Sequence, residues 1–160
     1  MKNEKGFSLV ELMIIVSIIG IIAAIAIPSL VTSRMAANEA GAITGVRAVS
    51  SAEVCFSATH NQQYTNLSSL VAGQYLDSRF SSAGYINGYT YTPDADASIT
   101  GAPTSGAPPS NFGVLAEPKS GAGRFTYGIT VDQVIRFEGV AGPTTYPAGA
   151  STGSPIGKAP

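Results

Sequence analysis

Residues 6–28 decide the fold. They read Gly6-Phe7-Ser8-Leu9-Val10-Glu11, then LMIIVSIIGIIAAIAI over 12–27, then Pro28. The 21 residues from Phe7 to Ile27 carry one charge, Glu11. As a helix rising about 1.5 Å per residue they measure roughly 31 Å. A bilayer's hydrocarbon core is about 30 Å thick. The stretch can therefore span a membrane once, and no other segment of the chain is long and apolar enough to do so. Glu11 is the odd feature. A charged acid at a helix centre costs on the order of 2.5–3.5 kcal/mol on insertion scales, which makes such a residue a functional candidate. It also lies only about 6 Å along the axis from Phe7, close enough for its carboxylate to reach the membrane surface. Gly20 weakens the helix by roughly 1 kcal/mol relative to Ala. Pro28 removes a backbone donor and clashes with the preceding turn.

Met1 to Gly6 carries Lys2, Glu4 and Lys5. Basic residues flanking an apolar span keep that end cytoplasmic, so the rest of the chain faces the outer side of the membrane. The whole chain has a formal net charge of −1. The first six residues contribute +2 −1 = +1, so the chain from Phe7 onward stands at −2. This is no basic footprint for nucleic acid. A competing reading is an ordinary secretory signal peptide cleaved near Ala24 or Ala26. Its product would be a secreted binding domain beginning near Ile27.

The string KGFSLVELMIIVSIIGIIAAIAIPSL resembles the N-terminus of type IV pilins and pseudopilins. The resemblance covers roughly the first thirty residues and rests on several matches at fixed spacing. It implies a leader peptide, residues 1–6, cut by a prepilin peptidase between Gly6 and Phe7. It implies N-methylation of Phe7. It makes Glu11 the acid at the fifth mature position, which in the family serves assembly by pairing with the N-terminal amine of an adjacent subunit. Gly20 and Pro28 match the family's helix-weakening positions. The implied fold is α+β, a long N-terminal helix packed on a small antiparallel sheet. The implied partners are further copies in a helical filament, the prepilin peptidase, and pilus or secretion machinery in the bacterial inner membrane. The implied location is that membrane before assembly and the extracellular pilus after it. A pseudopilin of a type II secretion system, or a minor pilin, is the alternative within the family.

Beyond Pro28 the helical pattern continues to about His60, giving an amphipathic segment over 28–60 and a helix of about 80 Å from Phe7. On a helical wheel Met35, Ala42, Ile43, Val46, Val49 and Phe56 share one arc, into which Glu39 and Glu53 intrude. Gly41 and Gly45 sit among alanines, so another backbone can approach closely there. Cys55 is the single cysteine, so no intrachain disulfide can form. It reads as a small buried residue. This departs from the many pilins that close a C-terminal loop with a disulfide.

A head follows over 61–142. Asn66-Leu67-Ser68-Ser69-Leu70-Val71 predicts a short helix capped by Asn66. Tyr85-Ile86, Asn87-Gly88 and Tyr89-Thr90-Tyr91-Thr92 predict a strand interrupted by a tight turn or bulge. Asn111 to Glu117 is a second strand. Arg124 to Val131 alternates, with Phe125, Tyr127, Ile129 and Val131 on one face. Val134 to Phe137 is the last strand, with Asp132-Gln133 as the hairpin turn. The run VDQVIRFEG resembles the final hairpin of several pilins and pseudopilins. Residues 93–110 and 143–160 are rich in Pro, Gly, Ala, Ser and Thr. They read as a loop and a flexible tail whose hydroxyls could carry sugars.

No catalytic constellation appears, and neither a cofactor nor a metal is expected. Asp94-Ala95-Asp96 has the opening spacing of a calcium loop but lacks its glycine and its distant glutamate. His60, the one histidine, has no partner at metal or triad spacing. The chain is expected to be a structural subunit and not an enzyme.

Overall fold

The computed structural model describes residues 7–81, 84–94, 112–139 and 154–156. Two compact units are present, Met1–Arg34 and Met35–Pro160. One helix, α1 (Leu9–Thr59), contributes to both, with Pro28 inside it.

In the first unit no residue from Phe7 to Arg34 is buried. Two of its hydroxyls bond back into the helix. Ser17 Oγ donates to Met13 O at 2.8 Å, and Thr32 Oγ1 donates to Ser29 O at 2.9 Å. Such back-bonding removes free hydroxyl donors, which lipid would leave unsatisfied.

In the second unit α1 continues as an amphipathic helix. It is followed by α2 (Leu67–Ala72), a 3₁₀ turn (Ser78–Ser81), and strands β1 (Tyr89–Asp94), β2 (Gly113–Pro118), β3 (Phe125–Thr130), β4 (Arg136–Gly139) and β5 (Ser154–Pro155). The strands form one antiparallel sheet in sequence order, β1-β2-β3-β4-β5. The core joins Ala42, Val46, Val49 and Ala52 of α1 to Leu67 and Leu70 of α2 and to Tyr89, Val114, Tyr127 and Ile129 of the sheet. The expected α+β architecture, a long helix packed on a small antiparallel sheet, is the one observed.

Local signals account for most elements. Asn66 caps α2 as predicted, its Oδ1 accepting from Ser69 N at 2.8 Å. At Asn87-Gly88 the chain reverses in two residues with φ of 52° and 76°. Ile86 and Tyr89 exchange both backbone bonds across it, at 2.8 and 3.0 Å. Both central residues lie in the left-handed region, which Asn and Gly tolerate best.

The last hairpin differs from expectation. Gln133 is left-handed (φ 61°), and β4 begins at Arg136, two residues after Val134. Asp132 causes the shift. Its Oδ1 accepts from Thr130 Oγ1 at 2.8 Å and from Val134 N at 3.0 Å, and its Oδ2 accepts from Arg136 Nη2 at 2.6 Å. Val134 N is thus bonded to a side chain and not to the sheet. Val131 and Val134 are exposed, so the inward alternation stops at Ile129 and does not reach Val131. Within the segment read as a tail, Ser154–Pro155 pairs with β4 as β5, and Ile156 N donates to Ile135 O at 3.0 Å. The remainder of 143–160, like most of 93–110, lies outside the described residues.

Candidate functional site

The candidate site is the start of α1. Gly6 lies outside the described residues. Phe7 is exposed and precedes the helix. Ser8 O accepts from Leu12 N at 3.2 Å and so closes the first turn. Glu11 lies in that turn, where the positive end of the helix dipole favours an anion. Among the described residues Glu11 has no ion pair.

The apolar side chains here have no cover. From Phe7 to Val31 the large ones are 42–74 % exposed. Contiguous apolar surface on this scale needs lipid or other chains against it. The helix from Leu9 is long and apolar enough to cross a membrane. A Cβ built on Gly20 would meet nothing within 4 Å. Among the described residues no contact therefore requires glycine at that position.

The other candidates do not assemble into a site. Cys55 is exposed, not buried as its pattern suggested. The buried face of α1 ends at Ala52 and Glu53, and Val54 and Cys55 lie off it. His60 stacks on Phe56 with ring centroids 3.8 Å apart. Among the described residues no group of His, Cys, Asp or Glu is placed to hold a metal. Asp94 ends β1, and Asp96 lies outside the described residues.

Sequence reasoning treated Glu39 and Glu53 as interruptions of the helix's inner face. Both are buried, at 6 % and 2 % exposure. Arg124 binds Glu39 through Nε at 3.0 Å and Nη2 at 2.9 Å and holds its carboxyl below the usual range. Burial pushes the Glu53 carboxyl up to about 7, against a weaker opposing hydrogen bond from Thr65 N. Their spacing was the available signal. Fourteen residues is close to four helical turns, so the two acids share one face.

Comparison with known proteins agrees with this geometry. Residues 1–27 match the family described as the prokaryotic N-terminal methylation motif. The type IV wide pilus major component PilA4 of Thermus thermophilus is 51 % identical over 39 residues, 24 % of this chain and 30 % of that protein. The type IV major pilin protein PilA of Myxococcus xanthus is 44 % identical over 54 residues, 34 % of this chain and 24 % of that protein. A fimbrial protein of Pseudomonas aeruginosa is 75 % identical over 28 residues, 18 % of each. The matches thus span less than a third of each relative's length. No solved structure matches. The chain is thus similar to type IV pilins over its N-terminal segment, where the methylation motif of residues 1–27 coincides with the start of the long helix.

Proposed function

We propose that this chain is the structural subunit of a type IV pilus. A prepilin peptidase removes residues 1–6, Phe7 is N-methylated, and α1 anchors the subunit in the inner membrane until it enters the filament. The observation that carries this reading is the uncovered apolar surface of α1 within the segment matched by the methylation motif. Burying that surface against lipid and then against other copies supplies the cohesion. Glu11 pairs with the methylated amine of a neighbouring copy, which neutralises a carboxylate that an apolar bundle would otherwise leave uncompensated. Gly20 and Pro28 mark where helicity yields as the subunit leaves the bilayer.

Mass spectrometry of the N-terminal peptide in a sheared surface fraction tests the proposal. The expected peptide begins at N-methylated Phe7, in a fraction dominated by this protein. The same peptide confined to the cell envelope would point to a pseudopilin or minor pilin. A chain beginning near Ile27 would refute the reading.

A further inference from the structure

Glu53 is a buried acid that the proposed assembly does not use and that, unlike Glu39, has no ion pair among the described residues. It is 2 % exposed. It lies one turn beyond Val49 and beside Ala52 on the face of α1 that enters the core. Among the described residues its carboxylate has one hydrogen-bond partner, Thr65 N, at 3.2 Å from Oε2. That bond spans the connection between α1 and α2, residues 60–66. The connection is held in an unfavourable shape. Asn61 and Gln62 are consecutive left-handed residues, with φ of 53° and 60°. Such backbone persists only when its surroundings hold it.

Among the described residues no counter-charge stands against Glu53. α2 (LSSLVA) has no ionisable residue. In the connection, His60 stacks on Phe56 and Tyr64 packs on Phe112. In and beside the 3₁₀ turn, Asp77 and Arg79 pair with each other. From β1, Tyr91 is ionisable but neutral, its hydroxyl pushed up to about 12 by burial. Arg124 is engaged by Glu39. A carboxylate here is left with a single backbone donor in an apolar setting, and that setting disfavours its charged form.

We propose that Glu53 is a protonation-controlled latch on the 60–66 connection. The neutral carboxyl stays buried and keeps the loop closed on α1. The ionised carboxylate is better solvated outside, so it favours local opening of the loop.

The direction follows from linkage. Burial raises the closed-state carboxyl to about 7 from the ordinary 4.5. The closed state therefore holds the proton more tightly than the open one. Opening becomes easier as pH rises from about 4.5 and levels off above about 7, with a total change on the order of a hundredfold. The latch belongs to the second unit's own fold, so it stands or falls apart from the filament reading.

Amide hydrogen exchange on the full-length protein in detergent micelles tests the latch. Protection at Thr65 and its neighbours is compared at about pH 5.5 and pH 8, after correction for intrinsic exchange. The expected result is a roughly tenfold or greater loss of loop protection at the higher pH, at loop amides that stay less protected than β3 amides such as Ile129. Glu53→Gln cannot ionise and should keep the loop protected at both values. Equal loop protection in the wild type at both pH values would overturn the proposal, as would a Glu53→Gln protein that opens like the wild type. Should Glu53→Gln not fold, carboxyl NMR titration of the wild-type Glu53 decides. A midpoint near 7 supports the latch, and one in the ordinary carboxylate range sinks it.

Discussion

Glu39 on α1 and Arg124, 85 residues later, meet at three points. Arg124 donates its backbone N–H and Nε to Oε1, at 2.8 and 3.0 Å, and its Nη2 to Oε2 at 2.9 Å. Beside them Asn38 Nδ2 donates to Ala122 O at 2.9 Å. Together these bonds tie the helix to the β2–β3 turn. The acid is buried, while the arginine is largely exposed.

Arg124→Ala leaves the Glu39 carboxylate with only a backbone donor. It should lower stability, and only modestly, because solvent screens the exposed guanidinium. Arg124→Lys should recover only part of the loss, because an ammonium cannot bind both oxygens in a fork. Urea denaturation of the two variants against wild type gives the comparison.

The stability–pH profile should be domed. The folded Glu39 and Asp132 carboxyls are depressed, Asp132 to about 2, by the guanidinium hydrogen bonds of Arg124 and Arg136 respectively. Their contribution is present above their ordinary values of 4.5 and 3.8 and is lost as pH falls. Glu53 has the opposite sign. Its contribution is full below 4.5 and is lost as pH rises through about 7. Maximum stability should fall between about pH 4 and pH 6. Denaturation midpoints across pH locate it, and Glu53→Gln should flatten the alkaline limb.

Gly45 and Gly20 should respond oppositely to alanine. A Cβ on Gly45 would run into the Tyr91 hydroxyl, whereas one on Gly20 would meet nothing. Gly45→Ala should cost about 1–3 kcal/mol through overpacking. Gly20→Ala should strengthen the helix by roughly 1 kcal/mol. Tyr91 Oη is buried without a hydrogen-bond partner among the described residues. Tyr91→Phe should therefore gain about 1 kcal/mol and soften the Gly45→Ala defect. A double-mutant cycle on thermal melts reads both effects.

Glu11→Ala should leave membrane insertion unchanged and cut filament yield at least tenfold. Fractionation of the cell envelope and quantification of sheared filaments measure the two separately. Normal yield would refute the pairing role.

Features carried by local chemistry were legible in the sequence. The apolar run, the Asn66 cap and the Asn87-Gly88 turn each act within a few residues, and each stands where the pattern put it. Features set by distant partners were not. Glu39 looked like a flaw in the apolar face because Arg124 is 85 residues away. Cys55 looked buried because small apolar residues usually are, yet it lies off the face that meets the sheet. The start of β4 moved because the Asp132 side chain took a backbone donor that the strand pattern had assigned to the ladder. β5 escaped notice because two residues in a low-complexity segment carry no period.

The meander order of the sheet bears on how the chain matures. Each strand pairs with its neighbour in sequence, and the β2–β3 and β3–β4 pairings close short connections, 119–124 and 131–135, at a small entropic barrier. The helix residues that enter the core begin at Glu39, twelve positions past Ile27. Among the described residues the core cluster includes no side chain of the apolar span. Under the proposed function, a newly translocated subunit would complete its fold while still tethered in the bilayer and wait there as a finished part before extraction.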